Sequence, residues 1–166
     1  MATVNSTWIT NAVATPVVAT NSNKSAGRVR SAKSAATVSA TQTSGDIIKM
    51  VRVPSNARID AVLLTTADAT TAGAVDIGVY QTADNGGAVV DADLFASALA
   101  LTGGPFTNSD QTFESGEYTY AESCLPLWEV LGLSADPNRD YDIAATVTTT
   151  GNGMGTVFVL EVQYAV

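Results

Sequence analysis

Thr156-Val-Phe-Val-Leu-Glu-Val-Gln-Tyr164 decides the fold class. Phe158, Leu160, Val162 and Tyr164 fall on one side of an extended chain, and Val157, Val159 and Glu161 fall on the other. Strict alternation of this kind marks a strand with one face in a core. Tyr141 to Thr149 is the preceding strand, and Thr150-Gly-Asn-Gly-Met-Gly155 joins the two. Gly151, Gly153 and Gly155 suggest a nucleotide loop only superficially. Such a loop needs a helix after its strand, so that amide groups face phosphate. Here both flanks are strands, and the glycines supply the positive φ angles of a hairpin turn.

Outward from this hairpin the same grammar repeats. Ala74 to Tyr80 alternates, with Val75, Ile77 and Val79 opposite Asp76, Gly78 and Tyr80. Asp46 to Val53 reads as a strand stopped by Pro54, and Arg58 to Thr66 as the next. Ser44-Gly45-Asp46, Pro54-Ser-Asn-Ala57 and Ala83-Asp-Asn-Gly-Gly87 are turns. Two short helices are predicted. Asp91 caps Ala92 to Leu101, with Leu94, Phe95, Ala98 and Leu99 on one face. Leu125 to Leu131 forms the second, with Pro126 in its first turn and Gly132 at its C-cap. Gly103 to Tyr120 is expected to be a long irregular loop of the kind that carries binding function. The whole is an all-β chain, a β-sandwich or jelly roll with two short helices.

Residues 1–26 differ from the rest. They are rich in Thr, Ser, Ala and Asn, Pro16 forbids a continuous helix, and Trp8 and Ile9 are the bulkiest apolar side chains. They are expected to form an extended arm with a reach of about 85 Å at ~3.3 Å per residue. Residues 27–166 then make a single domain. The 166 residues suffice for one such core.

Composition excludes much chemistry. The chain has no histidine, which removes the commonest general base and nitrogen metal ligand. A serine nucleophile would need a lysine base, and Lys24, Lys33 and Lys49 sit in no such motif. The lone Cys124 excludes an internal disulfide and is expected to be a small buried side chain beside Leu125 and Leu127. Asp84, Asp91 and Asp93 do not have the spacing of a helical-hand calcium loop, which leaves only an irregular calcium site open. Glu114 and Glu117 read as solvated loop acids. No catalytic residue, cofactor or metal site is therefore assigned. The start lacks a signal-peptide pattern, and nothing approaches ~18 consecutive apolar residues. Synthesis in the cytoplasm and no membrane partner are expected.

The net charge of −8 conceals a division. Residues 1–58 hold Lys24, Arg28, Arg30, Lys33, Lys49, Arg52 and Arg58 against Asp46 alone; residues 59–166 hold Arg139 against fifteen carboxylates. The expected interface residues are Trp8, Ile9, Lys24, Arg28, Arg30 and Lys33, meeting an acidic surface on a sister subunit or a scaffold. The basic residues are too sparse, and too poor in interleaved aromatics, for a nucleic-acid groove. Exposed aromatics at Trp8, Trp128, Tyr118 and Tyr120 would instead suit a glycan-binding module, with Trp128 expected in the core.

The run Gly45 to Arg58 and Ala74-Val-Asp-Ile-Gly-Val-Tyr80 carry a family likeness. So do Gly87 to Ala96, Leu127 to Ala135, and the closing Tyr141-Asp-Ile-Ala-Ala-Thr-Val with its aromatic-rich last strand. Together with Gly27-Arg-Val-Arg30 they resemble the small virion proteins of tailed bacteriophages, among them capsid decoration (cement) proteins. The likeness spans residues 1–166 and is one of texture, not of a catalytic signature. It implies a β-sandwich or jelly-roll body on the outer capsid surface. Its partners would be the major capsid protein of the same phage and other copies of itself. A head fibre, a head–tail joining protein or a tail component is the alternative within the virion.

Overall fold

The computed structural model describes residues 6–19, 28–37, 42–67, 72–149 and 157–166, with the side chains at positions 7 and 8 left aside. Eight strands follow one another along these residues: β1 (Val29–Thr37), β2 (Ile47–Pro54), β3 (Arg58–Thr66), β4 (Ala74–Gln81), β5 (Val89–Ala100), β6 (Phe106–Asp110), β7 (Asp140–Thr149) and β8 (Val157–Ala165). Two short helices, α1 (Thr7–Val13) and α2 (Leu127–Val130), complete the order together with two 3₁₀ turns.

The strands form two four-stranded sheets, in the orders β1-β8-β3-β6 and β2-β7-β4-β5. Every pairing is antiparallel. The first strand lies beside the last, the second beside the seventh, the third beside the sixth, and the fourth beside the fifth. This is one long nested hairpin rolled up, and the extra pairs β3·β8 and β4·β7 zip the roll into two sheets. That connectivity is a jelly roll.

The core lies between the sheets. Phe158, Leu160 and Val162 of β8, from one sheet, and Val75, Ile77 and Val79 of β4, from the other, are all buried in it. Burying each such side chain is worth roughly 1.5–3 kcal/mol. The alternation that predicted β8 is thus the one that fills the sandwich.

Several sequence expectations give way. The stretch predicted as a helix over Ala92–Leu101 is strand β5 as far as Ala100. Ile77 faces Ala96 while Val79 faces Asp91, so β5 runs through more residues than β4 between those pairs. The excess bulges, and Leu94 and Phe95 are both buried although they are neighbours. A bulge breaks the period of two, and the resulting apolar spacing imitates a helix. Gly78 accommodates this crossing: a Cβ there would lie 2.2 Å from the Asp91 carbonyl oxygen.

The loop expected over Gly103–Tyr120 contains β6, an edge strand of polar Thr-Asn-Ser sequence paired to β3. Its polarity hid it, because an edge strand needs little apolar alternation. Cys124, expected to be buried, is exposed. It ends a 3₁₀ turn at Glu122–Cys124, whose chain then dives to bury Leu127 instead.

Within the N-terminal segment, an extended arm was expected, yet Thr7–Val13 is helical. Ser6 caps it, its side chain accepting from the Ile9 amide at 3.4 Å, and the helix ends before Pro16. The boundary drawn at residue 26 lies outside the described residues, as does the 150–156 hairpin turn. Helix α2 is shorter than expected at both ends: Pro126 is its N-cap and not part of its first turn, Leu131 is its C-cap, and Gly132 follows at φ +70°. Its first amides, from Leu127 and Trp128, donate to the carbonyls of Ala57 and Ser55 in the β2–β3 turn.

Candidate interaction surfaces

The sheet orders put β1 and β2 on one rim of the sandwich, where they pack against each other. Of the expected interface residues, Arg28, Arg30 and Lys33 come together here, all exposed. Lys49 and Arg52 of β2 belong to the other sheet and reach over β7 to Asp142. Ile9 lies apart on α1, about half exposed, and Val13 and Val17 after it are also exposed. The Trp8 side chain and Lys24 fall outside the described residues.

The cations on this rim are of two kinds. Lys33 pairs with Glu161 at 3.0 Å, and Glu161 also accepts from Ser31 at 2.9 Å and Gln163 at 3.1 Å. The Gln163, Lys33 and Ser31 hydrogen bonds, in that order, pull the Glu161 carboxyl down to about 2. Asp142 of β7 accepts from Arg52 Nε at 2.8 Å and Lys49 Nζ at 3.3 Å. The Arg52 hydrogen bond, followed by the Asp142 charge, raises the Arg52 guanidinium further above its ordinary value. Lys49 also donates to the Gln81 carbonyl at 2.8 Å, tying β2 to the end of β4. Arg28 and Arg30, by contrast, form no salt bridge among the described residues.

The opposite rim is acidic. Asp91 and Asp93 of β5 and Glu117 of the following loop bring carboxylate oxygens within 4.8 Å of one another. Asp84, considered with the first two as a calcium ligand, is not in this group. Burial first, then the Asp93 charge, pushes Asp91 up against the pull of backbone hydrogen bonds. Asp91 and Asp93 push Glu117 up by repulsion. The loop is fixed to β5: the Ser115 amide donates to the Phe95 carbonyl at 3.0 Å, and Glu114 accepts from the Ser97 amide at 2.9 Å. Glu114 is therefore a structural acceptor as well as a solvated acid.

Four aromatic rings underlie this loop. Tyr118 is buried, edge-on to Phe95 at 5.2 Å and stacked on Phe113 at 5.7 Å. Tyr120 leans on Phe113 at 4.8 Å and is 80% exposed. Of the aromatics considered for a glycan platform, Tyr120 alone is fully presented among the described residues, since Trp128 is half-buried beside Arg58 and Asp136. One exposed ring makes no platform.

The fold recurs in two phage capsid structures. A chain of the cyanophage Pam1 capsid asymmetric unit matches with a TM-score of 0.52 and 15% identity, over 84% of this chain and 86% of that one. A chain of the capsid of Ralstonia phage GP4 matches with a TM-score of 0.55 and 17% identity, over 83% and 84%. At such identities the likeness is one of fold. No family model matches the chain, and no curated protein matches it in sequence.

Proposed function

We propose that this chain is a non-enzymatic structural component of a tailed-phage virion, a decoration or cement protein that binds the outer capsid surface and bridges capsomers. The carrying observation is the jelly roll itself, shared over more than four-fifths of the chain with chains of two phage capsid structures. The missing histidine and the rim-borne charge agree with a role made of contacts instead of chemistry. A shell swollen by packaged DNA is under outward load. A protein spanning capsomer joints adds contact area that must be broken before the shell opens, and many symmetric copies multiply modest interfaces.

Mixing purified protein with expanded capsids that lack it tests this reading. The expected result is saturable binding and a higher temperature of shell opening. Absence of binding, or binding with no gain in heat resistance, overturns the cement role. Copy number separates it from other virion parts: decoration covers the whole shell, whereas a head–tail joining protein occupies a single ring.

A further inference from the structure

Among the described residues, the jelly roll leaves unpaired cations at one edge of the molecule and crowded carboxylates at the other. β1 and β2 line one rim; β5 and the loop after β6 line the other. On the first rim Arg28 and Arg30 are exposed and lack an ion pair among the described residues, and Val29 between them is 68% exposed. On the second rim three carboxylates crowd together, and the exposed Val89 and Tyr120 belong to the same strand and loop. No lysine or arginine occurs anywhere between Arg58 and Arg139 to neutralise them.

Each rim is incomplete, in the opposite sense to the other. Three carboxylates at this spacing repel one another, and a guanidinium, with five N–H donors in a planar fork, bridges two carboxylates at once. The strand β1 also pairs on one side alone among the described residues, which leaves a row of backbone donors and acceptors at its edge. The two rims lie on opposite edges of one sandwich, so they cannot meet within a single copy. Two copies can join them.

We infer that the β1 rim of one copy docks edge-on against the β5 rim of a second copy, with Arg28 and Arg30 entering the Asp91–Asp93–Glu117 group. Such a contact is heterologous: it uses two different surfaces and repeats from copy to copy, closing into a ring only if the rotation allows. A symmetric pairing of two basic rims, or of two acidic ones, is opposed by like charge. The inference goes beyond shell binding and stands or falls separately from it.

Sedimentation velocity on the full chain tests the contact through two charge reversals, Arg28→Glu with Arg30→Glu, and Glu117→Lys. The native chain is expected to self-associate at low ionic strength. Association should weaken at about 0.5 M salt, where the screening length falls to roughly 4 Å. Each reversed variant alone should lose affinity by roughly 100-fold, because it sets like charges against each other. An equimolar mixture of the two should assemble again, since the acidic rim of one meets the basic rim of the other. A native chain that stays monomeric, association indifferent to either reversal, or a mixture that stays apart overturns the inference. Far-UV circular dichroism verifies that the variants fold, and the salt titration of the native chain tests the contact without them. A monomeric chain that still binds expanded capsids sinks this contact and leaves the proposed function standing; an assembling chain that ignores capsids does the reverse.

Discussion

The hydroxyl of Tyr118 donates to the carbonyl of Ile59 at 2.9 Å, in a buried bond that joins the loop after β6 to strand β3. The same ring packs against Phe95 of β5, in the opposite sheet. One side chain therefore ties the long connection to both halves of the sandwich. Tyr118→Phe keeps the packing and removes the donor, leaving a carbonyl unsatisfied. A loss of about 1–2 kcal/mol is expected in chemical denaturation. Tyr118→Ala also leaves a cavity and should lose about 3–5 kcal/mol. If the two variants lose the same amount, the ring contributes nothing beyond its hydroxyl.

The hydroxyl has an alkaline consequence as well. Burial, with the nearby Asp60 and Glu122 charges, pushes the phenol well above its ordinary value of 10.0, against the pull of the Ile59 hydrogen bond. A raised folded value means that the native state holds its proton after the unfolded state has lost it. The stabilisation is full below the unfolded value and is lost as pH rises beyond it. Stability measured from about pH 9 to about pH 12 should therefore fall with a slope that Tyr118→Phe reduces. An unchanged slope in the variant would show that this hydroxyl titrates freely.

Gly78 is the tightest point of the fold among the described glycines. A Cβ there would meet the Asp91 carbonyl oxygen at 2.2 Å and the Ala92 carbonyl carbon at 2.3 Å, both rigid backbone. Gly78→Ala has to push β5 off β4, and the expected loss is about 2–4 kcal/mol or failure to fold. Gly103 has open space around its Cβ position but a φ of +109°. Gly103→Ala should lose only about 1 kcal/mol through strain. Equal effects at the two positions would contradict the close approach at Gly78.

These positions also mark where sequence reasoning reached its limit. The strand β8 was legible because it buries one face, so burial writes a period of two into its residues. The bulged half of β5 was not, because its period is set by how it crosses β4 at Gly78, a contact between distant residues. β6 was not, because Thr107, Asn108 and Ser109 bury too little to leave a pattern. On the β1 rim, Arg28, Arg30 and Lys33 were legible as a basic run. The acidic group on the opposite rim was not, since Asp91 and Asp93 meet Glu117 only through the packing of the loop on β5. The long stretch without a cation was the one signal pointing there.

The edge strand β1 supplies an acid-dependent prediction. It is held to the sheet by β8, and Lys33 stands opposite Glu161 in the register. Glu161 accepts from Lys33, Ser31 and Gln163, and these bonds lower its carboxyl from 4.5 to about 2. A depressed folded value means that the stabilisation is present above the unfolded value and disappears as pH falls through the folded one. The stability difference between the native chain and Glu161→Gln should thus be constant above about pH 5 and shrink steadily toward about pH 2. Amide exchange should locate the change: protection of Val29–Thr37 falls in that window, ahead of the buried strand β7. Lys33→Met retains two of the three donors, so it should shift the acid transition upward by less than Glu161→Gln removes. A difference that stays flat across the whole acid range, or protection lost from all strands together, would mean that Glu161 does not fasten this edge.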